Sequence, residues 1–182
     1  MIEIGILRIE DGICTETYRT FLDPQRALSP WITKLTGITE SDLEGAPLFA
    51  EVADDVARLL KDAIFVAHNV AFDYAFIKGE FARIDRFFEA SCLCTVRLSR
   101  LLSPRAKRHN LSAVIRRHKL SCESRHRAFD DAHALWQFIQ WGHRRKPTAL
   151  PRAIEKLLQT DRTNEYLRAR VPEYSEGERV IR

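Results

Sequence analysis

The chain opens on two short runs of β-branched and apolar residues, Ile2 to Ile9 and Ile13 to Phe21, separated by Asp11-Gly12. Asp-Gly tolerates the positive φ angles of a tight turn, so the pattern predicts an antiparallel hairpin. Pro24 and Pro30 interrupt the next stretch. Pro30 to Leu35 predicts a short helix ended by Gly37, and Thr39 three residues ahead of Asp42 predicts a capped turn. Apolar residues at Phe49, Val52, Val56, Leu59 and Leu60 mark an amphipathic helix over 48–60. Ala63 to Ala67 reads as a buried strand. The next helix runs to about Ile84, with Asn69 as its cap and Phe72, Phe76, Ile77 and Phe81 as core contacts. Cys92 to Val96 predicts another strand, with Cys92 and Cys94 on one face. Three helical stretches come after it: Arg97 to Leu102, Leu111 to Leu120 capped by Asn110, and Phe129 to Trp141 with Ala132, Leu135, Trp136 and Ile139 facing inward. The alternation of strands and helices predicts an α/β fold.

Beyond Lys146-Pro147, Leu150 to Leu158 predicts one more helix. Asp161 to Arg182 is charged and weakly patterned, and is expected to be loosely ordered or to await a partner. The expected division is therefore a domain over 1–145 and a helical, charged tail over 146–182.

Length and composition narrow the class. The chain has 182 residues, of which 45% are hydrophobic, enough for one domain with a sizeable core. It contains no apolar run long enough to span a bilayer and no leader of the secretory type, so neither a membrane nor export is expected. Cys14, Cys92, Cys94 and Cys122 form no metal-type array and are read as reduced thiols of a cytoplasmic protein. The net charge is only +4, but it is unevenly spread: between Arg97 and Arg127 stand ten Lys/Arg and one acid, Glu123, a local charge of +9. Such a block is either a solvated helical face or a surface for phosphate.

Two segments carry candidate chemistry. In Val66-Ala67-His68-Asn69-Val70-Ala71-Phe72-Asp73, a strand runs into a helix whose first turn holds an acid. Asp73 there either complements the helix dipole, which would help keep it ionised, or points into a cleft at the strand end. In His126-Arg127-Ala128-Phe129-Asp130-Asp131, a histidine precedes a helix with acids in its first turn. Histidine titrates near neutrality, as a general base should, and a first-turn acid can hold a hard cation. The plainer alternative is a cap-proximal histidine with two dipole-pairing acids.

Taken together and in this order, the segments resemble the second and third motifs of the DnaQ-like, DEDDh 3′–5′ exonucleases. The resemblance extends to Ile2-Glu3-Ile4-Gly5, to Ser29-Pro30 through Thr39, and to Asn110-Leu111. It covers about residues 1–142 and is nearest the branch that contains the proofreading epsilon subunit of bacterial DNA polymerase III. It implies a ribonuclease H-like mixed sheet flanked by helices. It also implies hydrolysis of 3′-terminal phosphodiesters of DNA, in proofreading or repair, with two Mg²⁺ or Mn²⁺ ions about 4 Å apart. Carried over by position, Asp73 and Asp131 would be metal ligands and His126 the general base, with His68, Asn69 and Arg127 on the substrate. Asp130 would face elsewhere, since helical neighbours lie about 100° apart. The implied partners are single-stranded DNA 3′ ends and a DNA polymerase subunit.

The sequence departs from the family at its start. The family's first motif, Asp-x-Glu on a strand ahead of Ile-Glu-Ile-Gly, is not found there. The only such tripeptide, Asp42-Leu43-Glu44, falls in a helical connection, and Glu3 reads as structural or exposed. The expectation is an N-terminally truncated exonuclease lacking its central strand, with a gap of about 9–10 Å, two strand spacings, between the hairpin and the 63–67 strand. The alternatives are an inactive relative that binds nucleic acid or a polymerase, and a chain in which another strand fills the gap, with carboxylates from elsewhere or from a partner.

Overall fold

A computed structural model describes residues 1–159. The hairpin forms as expected: β1 (Glu3–Glu10) pairs antiparallel with β2 (Ile13–Phe21). Asp11 and Gly12 turn it with φ of 50° and 78°, the two positive values a two-residue primed turn requires. The register slips once. Arg8 faces Glu16 but Ile9 faces Cys14, so Thr15 is the extra residue of a β-bulge, and its hydroxyl donates to the Arg8 carbonyl at 3.3 Å.

The connection is built from local caps. In α1 (Pro30–Thr36) the Ser29 hydroxyl accepts from the Ile32 N–H, and Gly37 closes the helix at φ 75°. Asp42 Oδ2 accepts from the N–H and the hydroxyl of Thr39, at 2.8 and 2.7 Å, fixing a 3-10 turn over Ser41–Leu43. Helix α2 (Phe49–Leu60) starts where Glu51 accepts the Leu48 N–H at 2.7 Å, and buries Phe49, Val52, Ala53, Val56 and Leu59.

A βαβ unit comes next. β3 (Ile64–Ala67) and β4 (Ser91–Cys94) pair in parallel, joined by α3 (Val70–Arg83). Cys92 and Cys94 do share a face: both pack in the cluster of α2 and α3, while Leu93 points to the opposite cluster. Then come α4 (Thr95–Leu102), α5 (Leu111–His118), α6 (Ala128–Arg145) and α7 (Ala149–Gln159). Asn110 caps α5 as expected, accepting the Ala113 N–H at 2.9 Å. Residues 160–182, including most of the expected charged tail, lie outside the described residues.

The sheet exists as two separate ladders, β1–β2 and β3–β4. Side chains join them. Ile4 and Ile6 of β1 share one core with Phe65 and Ala67 of β3, completed by α2, α3, Leu22 and Phe88. A second core, Leu93, Leu98, Leu102, Val114 and Phe138, is closed by Leu150, Ala153 and Leu157 of α7. Helix α6 lies directly on the hairpin. A methyl group on Gly5 would sit 2.3 Å from the Phe129 nitrogen and 2.6 Å from the Ala128 carbonyl carbon, so only glycine allows the approach.

Three details differ from the sequence expectation. Phe72 is 53% exposed rather than core, with its ring against Phe76, because α3 buries Val70, Tyr74, Ile77 and Phe81 instead. Asn69 does not cap α3 through its side chain; it adopts the left-handed conformation (φ 70°), which turns its amide away from the first-turn N–H groups. The buried stripe of α6 is Ala134, Leu135, Phe138 and Gly142, so Ala132, Trp136 and Ile139 are only half-buried. The stripe is set by α5, α7 and the hairpin, which press on different sides of one helix.

Candidate active site

Asp73 stands in the first turn of α3, directly after β3. Burial pushes its carboxyl up to about 6, against a smaller opposing effect of its own backbone N–H. Desolvation outweighs that opposing effect, yet a value of about 6 still leaves the carboxyl mostly ionised near pH 7.

His68, at the end of β3, is held from both sides. Its Nε2 lies 2.9 Å from the His109 carbonyl and its Nδ1 2.9 Å from the Thr95 hydroxyl. A carbonyl only accepts, so Nε2 carries the proton, and Nδ1 faces the Thr95 hydroxyl, whose single proton is also within reach of the Ala67 carbonyl at 3.2 Å. Burial, with help from the positive charge of Arg125, lowers its pKa to about 4, and the ring is neutral near pH 7. His109 continues the network: Nε2 donates to the Ala106 carbonyl at 3.1 Å and Nδ1 lies 2.9 Å from the Ser99 hydroxyl. His68 thus ties the end of β3 to α4 and to the loop ahead of α5. Asn69 is exposed beside it.

At the N-terminus of α6, His126 is exposed and sits at φ 68°, a left-handed turn that swings the chain onto the hairpin. Burial and then Arg125 lower its pKa. Arg127 is engaged internally. Its Nε and Nη2 donate to Glu3 at 3.0–3.3 Å, and its guanidinium lies 5.2 Å from the Phe21 ring centre. Glu3 Oε2 also accepts the Ala128 N–H at 2.8 Å, so Glu3 caps α6 from β1 and is structural.

Asp131 pairs with Arg125. Arg125 Nη1 and Asp131 Oδ1 are both buried atoms, and neither has a hydrogen-bond partner elsewhere among the described residues. Arg125 also reaches the Ser112 hydroxyl at 3.3 Å, which pins the 119–127 loop to α5.

Hard divalent ions require about six oxygen ligands in close convergence. Among the described residues no three His, Cys, Asp or Glu side chains converge to hold an ion. Asp131 is neutralised by a guanidinium, Asp73 favours its neutral form more than an ordinary carboxyl does, and Glu3 is committed to α6. The residues present do not fit a two-ion centre.

Sequence reasoning missed Arg125, the capping role of Glu3, and the Thr95–His68–His109–Ser99 chain. The only signal for Arg125 was its place next to His126 inside a basic run. Nothing local marked the other contacts, which join residues 10 to 125 positions apart.

The hairpin crossed by a helix and the parallel βαβ unit, with Asp73 and Asp131 each in a first helical turn, form an α/β domain of the ribonuclease H-like type. Solved structures share that fold. Exonuclease X in complex with 5′ overhanging duplex DNA aligns with a TM-score of 0.66 at 21% identity, covering 87% of this chain and 90% of that one. The nuclease domain of 3′hExo, a DEDDh family member bound to rAMP, aligns with a TM-score of 0.64 at 15% identity, covering 82% of each chain. The chain belongs to the RNase_T exonuclease family, whose pattern matches residues 1–138. It is 33% identical over 145 residues to the PolC-type DNA polymerase III of Clostridium perfringens, and 37% identical over 133 residues to the 3′-5′ exonuclease DinG of Staphylococcus epidermidis. Those matches cover 80% and 72% of this chain but only 10% and 15% of the relatives' lengths.

Proposed function

We propose that this chain is a 3′–5′ exonuclease module that hydrolyses the 3′-terminal phosphodiester of DNA in proofreading or repair. The observation that supports it most is the family match over residues 1–138, which spans both the Asp73 and the His126–Asp131 segments. In this reading water attacks the terminal phosphorus, the 3′ oxygen of the penultimate nucleotide leaves, and a nucleoside monophosphate is released. His126 is the proton acceptor for that water: it is exposed, and its lowered pKa keeps it in the basic, neutral form at neutral pH. Asp73 and Asp131 are the chain's carboxylates for the reaction. His68, half-buried and neutral, acts by positioning the strand end rather than by holding phosphate. The exposed Arg105, Lys107, Arg108, Arg116 and Lys119 offer cations for the DNA backbone, whereas Arg127 is occupied by Glu3. The divalent ions of the family's chemistry need more carboxylate than the described residues bring together.

A second reading is a nucleic-acid- or polymerase-binding module that does not cleave, and the Arg125–Asp131 pair favours it. One experiment separates the two. Labelled single-stranded DNA is incubated with the protein in Mg²⁺ or Mn²⁺, with Asp131→Ala as control. Release of mononucleotides by the unaltered chain alone supports the exonuclease. Retarded but undigested DNA supports the binding module and overturns the exonuclease.

A further inference from the structure

Resting on the nucleic-acid reading above, we propose that His109 is a positioning residue for the phosphate backbone. It braces the 103–110 loop so that Arg105, Lys107 and Arg108 form a preset clamp on the bound strand. These three cations are exposed, stand within four residues of one another, and pair with no carboxylate among the described residues. A connecting loop of this kind is ordinarily mobile. Here it is held from beneath, between α4 and α5, by a connected set of side chains.

His109 stands at the centre of that set. Its Nε2 donates to the Ala106 carbonyl, so its Nδ1 is unprotonated and accepts from the Ser99 hydroxyl. Ser99 is buried in α4, and its oxygen in turn accepts from Arg117 Nη1 at 3.3 Å. Arg117 Nη2 donates to the Arg108 carbonyl, and His68 Nε2 donates to the His109 carbonyl. The carbonyls of Ala106, Arg108 and His109 are thus all engaged by donors of the protein, and none is left to repel a phosphate. Cations on a braced loop lose less freedom on binding than cations on a loose one. The bond to His68 also ties the loop to the end of β3, from which α3 and Asp73 start. The clamp therefore adjoins the candidate site.

Binding of a fluorescein-labelled single-stranded oligodeoxynucleotide to the full chain is followed by anisotropy in EDTA, over a series of salt concentrations. Arg105→Gln/Lys107→Gln/Arg108→Gln is expected to bind about tenfold or more weakly, and to lower the slope of log K against log salt by about 2. Arg144→Gln/Arg145→Gln/Lys146→Gln removes the same charge around the end of α6 and is expected to change both far less. His109→Ala keeps all three loop cations, yet is expected to bind about three- to tenfold more weakly. His109→Gln, whose amide can replace one ring contact, should recover part of that loss. Adding His109→Ala to the loop variant should cost little more than the loop variant alone, because the histidine acts through those cations. Should circular dichroism show His109→Ala unfolded, Ser99→Ala takes its place, since it removes the ring's hydroxyl partner and little volume. Equal losses in the two triple variants would overturn the clamp, as would no binding by the unaltered chain. Losses that add, or full affinity once the ring or its Ser99 partner is gone, would overturn the role of His109. A clamp that fails while binding persists leaves the exonuclease reading standing, because mononucleotide release is measured separately.

Discussion

Glu3 and Arg127 stand 124 positions apart and meet in a fork of hydrogen bonds, with Arg127 Nη2 and Oε1 3.0 Å apart. The same carboxylate takes the first free N–H of α6, at Ala128. One side chain thus joins β1 to the start of the helix that carries Asp131. The Glu3 side chain is 8% exposed, so its truncation leaves a half-buried guanidinium unmatched and a helix end uncapped. Glu3→Ala is expected to cost about 2–4 kcal/mol by urea unfolding. The cost should shrink when Arg127→Met is made first.

Gly5→Ala should be more damaging than its size suggests. The added carbon would meet backbone atoms of Ala128 and Phe129, which cannot rotate away as a side chain can. Relief requires α6 to lift from the hairpin. A loss of about 3 kcal/mol or more is expected, read by chemical denaturation, and an unfolded product at 37 °C would be in keeping with it.

His118 packs against Phe138 and Trp141, with its ring centre 5.3 and 3.8 Å from theirs, and its buried Nε2 has no hydrogen-bond partner among the described residues. Burial, followed by the charge of Arg117, lowers its pKa to about 4. The folded value lies below the unfolded one, so the unfolded chain binds the proton first. Its contribution is present above about pH 6.5 and is lost as pH falls towards about 4. His118→Phe removes both the proton site and the unpaired nitrogen. Partial exposure of the ring reduces the effect, and a gain of about 1 kcal/mol over the unaltered chain near pH 5 is expected, smaller at neutral pH, where only the unpaired nitrogen counts.

If the chain cleaves DNA, His126→Ala should lower kcat by about 10²- to 10⁴-fold, the usual worth of a positioned proton acceptor. His126 is exposed, so circular dichroism and melting temperature should hardly change. A proportionate loss of stability would mean that the ring holds the turn rather than the proton.

Much of this could be read from the chain because it is local. Asp11-Gly12, Gly37, Thr39 with Asp42, and Asn110 each act over a short span of chain, and each appears in the structure doing what its chemistry predicts. The His68–Asp73 and His126–Asp131 segments were legible as motifs, and the structure places both aspartates in first helical turns. What stayed hidden is set by partners distant in sequence. The dry setting of Asp73, the stripe chosen by α6 and the exposure of Phe72 depend on which elements press on a helix, and periodicity ranks faces without saying which neighbour wins. Arg125 was counted as one cation in a basic run, and only packing distinguishes it from Arg105 or Lys107, which face solvent.

The two ladders have no rung in common, so they are coupled by oil and by scattered side-chain bonds, Met1 to Glu80, Arg8 to the Leu59 and Lys61 carbonyls, Arg58 to Glu16 and Glu3 to Ala128, rather than by a continuous ribbon. Fluctuations of the hairpin then need break no hydrogen bond of β3 or β4. Amide exchange should reveal two groups of protected protons with separate opening energies, the β1–β2 set released together with the first turn of α6, the β3–β4 set only when the whole molecule unfolds.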